Sequence, residues 1–413
     1  MPVPTVGAFA HELIVGYRGG TPNSARSNLR LGVPIQRVIP VLPEVEVWRF
    51  ADATAVERAM AGLRSAGEIR FCEPNRARPM ARLSQSWWSA ERSPLDWQGD
   101  GRTGVDPRWP LKAARFEEAW KVTTGQGVTV AVIDSGVDAN HPALRGRVLP
   151  GIDELAARGI ADVWQGRDYS GRDGNGHGTH VCGLIAAAAD ATTGTQGAAS
   201  GVMLLPVKVT TAQGDVDDVT IAKGLVDAVD AGAMIINLSI GGPDPSLLVL
   251  EALNYAFRKR VSVVVSSGNE QRGVNYPAAF EGAIAVGATL SNGQVAGYSN
   301  GGSELVLVAP GGAMSRTDEG PQILSTLPTY PCLVGTQPNM PNGYGYMAGT
   351  SMATPLVSAA AALILSREPS LTPAQIRTRL AATARDIGPS GFDVRAGYGA
   401  LDVAGALLEG DRP

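Results

Sequence analysis

From residue 116 onward, short continuous apolar runs alternate with stretches in which apolar residues recur every three or four positions. The run 128–133 (Val-Thr-Val-Ala-Val-Ile) is dominated by β-branched residues, as expected of a strand buried on both faces. Similar runs at 203–209, 233–240, 261–266, 283–287 and 305–309 predict further strands. Helical spacing predicts helices at about 178–189, 217–231, 246–260, 351–366 and 373–384. Strands alternating with helices imply an α/β domain, a mostly parallel sheet with helices on both faces. Ligands of such sheets bind at the carboxyl ends of the strands.

Residues 11–76 follow another pattern. Strand-like runs at 11–17, 35–40, 45–50 and 68–73 are interrupted by a short helical stretch at 21–31 and by a longer helix from Asp52 to about residue 66. Val56, Ala59, Met60 and Leu63 fall on one face of that helix, with Asp52 as its cap. The order βαββαβ predicts a small α+β, ferredoxin-like unit. A unit of this size buries little core alone and is expected to dock on something larger. Residues 77–110 are rich in Arg, Ser, Pro, Gly and Asp without a period and read as a linker. Trp87, Trp88, Trp97 and Trp109, four of the seven tryptophans, lie there, so part of it is expected to strap onto a domain. The division predicted is 1–76, a linker or activation segment at 77–104, and a large domain at 105–413.

Composition narrows the function. The 413 residues carry a net charge of −4 and show no basic stripe, so nucleic acid is not an expected partner. No apolar run is long enough to span a bilayer; the nearest, 356–365, is too short. The first residues show neither a basic nor an apolar signal region. The expectation is therefore a cytoplasmic chain or one exported by an unrecognised route. Three cysteines, Cys72, Cys182 and Cys332, are an odd and sparse set. Free thiols are expected, with a Cys182–Cys332 bridge as the alternative.

Candidate chemistry begins at Gly349-Thr-Ser-Met-Ala-Thr-Pro355, where a loop meets a long small-residue helix. Ser351 sits where backbone N–H groups are unpaired and the helix dipole is positive. It reads as either a helix cap or a nucleophile, and the rest of the chain decides. Asp134 directly follows the first buried strand in Val132-Ile-Asp-Ser-Gly-Val-Asp138; a turn cap is its other reading, and turn chemistry explains Asp138. Asp173-Gly-Asn-Gly-His-Gly-Thr-His-Val-Cys-Gly183 holds two of the four histidines. His177 and His180 have a zinc-like spacing but lack the Glu of HExxH and further ligands, so no metal site is expected. His180 reads as a helix histidine hydrogen-bonded inside. In Val263-Val-Val-Ser-Ser-Gly-Asn-Glu270, Asn269 follows a strand through a glycine. Its amide is placed either to donate to developing negative charge or to serve a turn. Asp134, His177, Asn269 and Ser351 together supply an orienting acid, a base, an oxyanion donor and a nucleophile. An α/β-hydrolase does not fit: Gly349-Thr-Ser-Met-Ala353 is not GxSxG, and that fold runs Ser, Asp, His.

At these residues the chain resembles the subtilisin-like (subtilase) serine proteases. The matching stretches are AVIDSGVD, NGHGTHVCG, NLSIGG, SSGNE, YPAAF, VAPGG and GTSMATP, and the resemblance covers about 105–408. It implies a subtilisin-like fold and a serine endopeptidase acting through an acyl-enzyme. Ser351 is then the nucleophile, His177 the base and then acid, and Asp134 the residue orienting His177. Asn269 joins the Ser351 N–H in the oxyanion hole. Ser239, Ile240 and Gly241 form one wall of the pocket before the scissile bond, and Ser266, Ser267 and Gly268 the other. The edge 209–214, ending at Gly214, pairs with extended substrate backbone. Lys208, Glu270 and Asn275 are candidates for tuning subsites. The N-terminal unit resembles the family's inhibitory propeptide, ending near Glu73-Pro-Asn75, which implies a zymogen; a retained accessory domain is the alternative. Expected partners are a protein or peptide substrate and the chain's own N-terminal unit as inhibitor. No cofactor is expected: Ala143, Ala191 and Val306 stand where the family often has calcium ligands, although Asp190 and backbone carbonyls leave calcium open. The Pro/Gly/Tyr-rich insertion 314–345 is either a cleft rim or a passive loop, and Cys182, in place of the usual Ala, reads as a small buried hydrophobe. Competing functions are an inactive pseudo-protease that binds extended peptides, and a subtilase-type esterase or peptide ligase.

Overall fold

The computed structural model describes residues 11–18, 35–36, 42, 44–63, 66–78, 106–314, 320–335 and 340–408. Its first unit contains β1 (Glu12–Tyr17), β2 (Ile35–Gln36), β3 (Val45–Arg49), α1 (Ala53–Leu63) and β4 (Ile69–Pro74). Short helices α2 (Trp109–Ala113) and α3 (Phe116–Ala119) lead into β5 (Thr129–Asp134), β6 (Ile152–Asp153), α4 (Glu154–Ala157), β7 (Val163–Trp164) and β8 (Arg167–Asp168). There follow α5 (His177–Ala186), β9 (Met203–Lys208), α6 (Asp218–Asp230), β10 (Ile235–Leu238), α7 (Leu247–Arg258), β11 (Ser262–Ser266), β12 (Ile284–Thr289) and β13 (Leu305–Pro310). The chain closes with β14 (Ile323–Thr326), β15 (Tyr344–Met347), α8 (Thr350–Arg367), α9 (Pro373–Ala382) and α10 (Val403–Leu408).

Seven strands form one sheet in the order β13-β12-β11-β10-β5-β9-β6, and every neighbouring pair is parallel. The two-residue period of a strand divides its side chains between two cores. Val130, Val132, Leu204, Ile235 and Val264 join α5 and α8 in one core. Ala131, Ile133, Leu205, Ile236 and Val263 join α6 and α7 in the other. The strand over 128–133 and the other predicted strands of this sheet are present within one or two residues of their expected limits.

The N-terminal sheet is antiparallel in the order β2-β3-β1-β4, the ferredoxin-like arrangement expected. Alternation again sets its two faces. Leu13, Val15, Tyr17 and Trp48 pack under α1 with Val56, Ala59 and Leu63. Ile14, Val45 and Val47 point the other way, into the core shared with α6 and α7. The small unit thus completes its burial on the large domain. The helix expected at 21–31 lies outside the described residues. Asp52 caps α1 as expected, accepting the Ala55 N–H at 2.8 Å. The insertion 314–345 contributes an element not foreseen, the antiparallel hairpin β14–β15.

Candidate active site

Asp134 is the last residue of β5, at a strand's carboxyl end, and is fully buried. One of its oxygens accepts the Ser135 N–H at 2.8 Å, and both lie 2.9 Å from His177 Nδ1. A carboxylate only accepts, so Nδ1 carries the proton and Nε2 is left as the basic nitrogen. Burial by itself would depress the pKa of His177. The facing Asp134 charge, the hydrogen bond and the more distant Asp173 together outweigh that, and its pKa is raised.

The turn into α5 fixes His177. Asp173, fully buried, accepts from Asn175 N (3.1 Å), Gly176 N (2.7 Å), Thr179 N (2.8 Å) and the Ser135 hydroxyl (2.9 Å). Ser135 Oγ in turn accepts the Gly178 N–H at 3.0 Å. A carboxylate at a helix N-terminus satisfies orphan donors and the dipole together, so the loops of Asp134 and His177 are tied into one body. Gly178 is required by this closeness: a Cβ there would overlap the Gly136 carbonyl.

Ser351 is the second residue of α8 and is nearly buried, and its backbone carbonyl accepts from Ser239 Oγ at 3.3 Å. In the first turn of a helix the N–H groups lack intrahelical partners. Helix α8 packs against α5, so nucleophile candidate and base candidate open two adjoining helices. Asn269 reaches the same turn. Its Oδ1 accepts from both the N–H and the hydroxyl of Thr350, each at 2.9 Å. That fixes the amide with Nδ2 beside the turn: a Cβ built on Gly349 would lie 3.2 Å from it. Glu270 steadies the loop by accepting from Asn269 N (3.1 Å), Asn275 Nδ2 (3.1 Å) and Asn300 Nδ2 (2.9 Å).

The two expected pocket walls leave neighbouring parallel strands. Ser239, Ile240 and Gly241 follow β10, while Ser266 ends β11 ahead of Ser267 and Gly268. Ser239 Oγ accepts from Asn237 Nδ2 at 3.2 Å, and Asn237 Oδ1 accepts from Ser358 of α8 at 2.8 Å. Gly268 has φ +107°, and a Cβ would meet the Asn275 and Asn300 amides. Gly214 closes a turn through its N–H to Thr211 O at 2.9 Å. Beyond it the edge is already occupied: Ala77 bridges Asp217 in antiparallel fashion, and Arg78 N donates to Val216 O at 2.6 Å.

The model of the subtilase family matches residues 125–399. The chain belongs to the subtilase family. Its relatives include subtilisin DY of Bacillus licheniformis, 37% identical over 287 residues that cover 68% of this chain and 91% of that one. Fervidolysin of Fervidobacterium pennivorans is 36% identical over 403 residues, covering 90% of this chain but 55% of its own length. The crystal structure of fervidolysin, described as a keratinolytic enzyme related to subtilisin, superposes with a TM-score of 0.76 at 28% identity. It covers 98% of this chain and 61% of that one. This chain, as a subtilase, is a subtilisin-like serine endopeptidase, and proteins or peptides are its substrate class.

Within that family frame, several residues depart from their sequence reading or were given no role by it. Asp173 opens the motif of His177, and a carboxylate three residues before the N-cap Gly176 is the local signal for its role. Lys208, a candidate subsite residue, is instead buried behind the site. Its ammonium donates to Ser135 O (2.8 Å) and Thr210 O (3.2 Å) and pairs with Asp162 at 2.8 Å. His180 is the internal histidine expected, with Nε2 at 3.2 Å from both Ile323 O and Gly345 O. Burial, and then the neighbouring His177, push its pKa down to about 3. Among the described residues no group of three His, Cys, Asp or Glu is placed to hold a metal. Asp190 is engaged by Thr192 N (2.8 Å) and Tyr344 Oη (2.8 Å), and Ala143, Ala191 and Val306 offer no side-chain oxygen, so these positions do not fit a carboxylate cage for calcium.

None of the three cysteines forms a disulfide, and burial pushes the Cys182 thiol well up. The insertion packs against the turn and helix that carry His177. Ser325 and Thr326 hydroxyls donate to His180 O and Thr179 O, each at 2.8 Å. Leu333 N and Val334 N donate to Gly174 O (2.8 Å) and Asn175 O (2.9 Å) in the turn before His177.

Proposed function

We propose that this subtilase hydrolyses peptide bonds through an acyl-enzyme formed on Ser351, and that it is made as a zymogen held by its N-terminal unit. The observation that carries the reading is the two-oxygen grip of Asp134 on His177 Nδ1. That grip leaves Nε2 to take the Ser351 hydroxyl proton as Oγ attacks the carbonyl carbon. The tetrahedral oxyanion draws on the Ser351 N–H and Asn269 Nδ2. Collapse breaks the C–N bond, and imidazolium returns its proton to the leaving amine. Water then attacks the ester with the same base, releasing the new carboxylate and restoring Ser351. Substrate backbone pairs with the edge ending at Gly214, and Ser239–Gly241 with Ser266–Gly268 flank the side chain before the scissile bond. No step calls for a cofactor.

Inhibition by the N-terminal unit is supported by how it docks. The Glu73 carboxylate accepts from Ser246 Oγ (2.8 Å), Leu247 N (3.0 Å) and Leu248 N (3.0 Å), which caps α7 from outside. Asn75 Oδ1 accepts Val219 N at 3.3 Å and Arg76 O accepts Asp218 N at 3.1 Å, both at the start of α6. The tail then pairs with Asp217 and Val216 through Ala77 and Arg78, next to the edge that ends at Gly214. Reaction with a fluorophosphonate tests the chemistry: labelling at Ser351 in processed protein is expected, and its absence there overturns the assignment.

A further inference from the structure

The side chain of Arg78 is buried although it belongs to the tail that leaves the N-terminal sheet after β4. Its guanidinium meets Asp218 with both prongs, Nε to Oδ1 at 2.5 Å and Nη2 to Oδ2 at 3.3 Å. The side chains are 5% and 0% exposed. Gly242, just past the pocket wall Ser239–Gly241, makes the room: a Cβ there would stand 3.1 Å from Arg78 Nη1.

The direction of the tail says where this pocket lies relative to the bond that is cut. Ala77 stands opposite Asp217 and Arg78 bonds to Val216, so the chain direction at Arg78 is antiparallel to the edge and points from Val216 toward residue 209. That edge begins at the triad candidate, where Val209 N and Thr210 N donate to Asp134 O at 2.8 and 3.3 Å. A peptide bound in the register of Ala77 and Arg78 therefore runs toward Asp134 and His177, with the residue in the place of Arg78 on the amino side of the bond presented to Ser351.

The pocket also outlasts its occupant. The cations facing Asp218, namely Arg78 and the more distant Arg76, both belong to the N-terminal unit. The large domain's Arg158 is committed to Asp217, at 2.6 and 2.8 Å. When the tail leaves, a carboxylate built into the wall loses its partner. A substrate cation in the same place restores the charged, two-pronged pair. Two prongs on a planar fork are met by arginine and not by the point charge of lysine.

Resting on the endopeptidase reading above, we propose that Asp218 determines specificity: the enzyme prefers peptides carrying arginine at one position on the amino side of the scissile bond. Arg78 is the first arginine it binds there.

The test uses the full chain, allowed to process, and a peptide series in which a single arginine is walked through the positions on the amino side of one cleavable bond. Active enzyme is counted by fluorophosphonate titration, so a poorly folded fraction does not enter the rates. One position is expected to give a gain in kcat/KM on the order of tenfold for arginine over alanine, with lysine well below arginine. In Asp218→Ala and in the isosteric Asp218→Asn, the ratio of arginine to alanine at that position falls to near one. Labelled enzyme that shows no arginine preference, or keeps it in both variants, overturns this proposal alone. Protein that cuts no peptide and takes no label overturns the endopeptidase reading as well.

Discussion

Both carboxylate oxygens of Asp134 lie 2.9 Å from His177 Nδ1. The symmetric grip determines which nitrogen is protonated, and it offsets the burial that would otherwise make the imidazole less basic. In Asp134→Asn the amide offers an N–H where the ring already has one, which favours the wrong tautomer. Turnover is expected to fall about 10⁴-fold. The pH profile shifts as well. The base works only when neutral, and its folded pKa lies above the ordinary 6.5, so activity is present at higher pH and is lost as pH falls through that raised value. With the carboxylate gone, burial remains and the acid limb of kcat/KM moves to lower pH. A pH–rate series on both proteins checks the pair of effects; an unmoved limb contradicts the assignment of His177.

Glu73 caps α7 although it belongs to another unit, with three donors satisfied by one side chain. In a Ser351→Ala background, Glu73→Ala is expected to weaken docking by about 1–2 kcal/mol, the usual worth of a helix cap or a charged hydrogen bond. Hydrogen exchange read at Leu247 and Leu248 and across β1 to β4 should rise together. Faster exchange confined to the helix end would mean that Glu73 caps without holding the unit in place.

His180 titrates in the opposite sense to His177. Its folded pKa is about 3 against an ordinary 6.5, so the unfolded chain takes up a proton that the folded protein refuses. The stability involved is fully present above about pH 6.5 and is lost as pH falls toward 3. The slope reaches about 1.4 kcal/mol per pH unit for one such group. Urea midpoints between pH 7 and pH 4, in the Ser351→Ala background, should fall more steeply with acid for the parent than for His180→Gln. Equal slopes would assign the acid sensitivity elsewhere.

What could be read in the chain follows how local each signal is. The run at 128–133 is apolar because both faces of β5 are buried, and that shows in any short window. Asp134, His177, Asn269 and Ser351 each sit where a strand or loop meets a turn, inside a compact motif. The hairpin β14–β15 is hidden because Pro, Gly and Tyr around it mask a short strand pair that is anchored by long-range hydrogen bonds of Ser325 and Thr326 to the His180 and Thr179 carbonyls. Asp173 and Ser135 are 38 residues apart, and Arg78 and Asp218 are 140 apart. No periodicity records such pairs. Lys208 is a subsite candidate only by family resemblance, and the folded chain shows its ammonium turned inward to Asp162.

The central claim is that Ser351 performs the cleavage and that the N-terminal unit is what it first removes. Intact-mass spectrometry over time on the wild-type chain and Ser351→Ala tests this most directly. Loss of the serine is expected to slow turnover on the order of a millionfold. The account predicts that the wild type sheds an N-terminal fragment ending after Arg78 and before Trp109 while Ser351→Ala stays whole. Fragments appearing at the same rate from both proteins, or from neither, would contradict it.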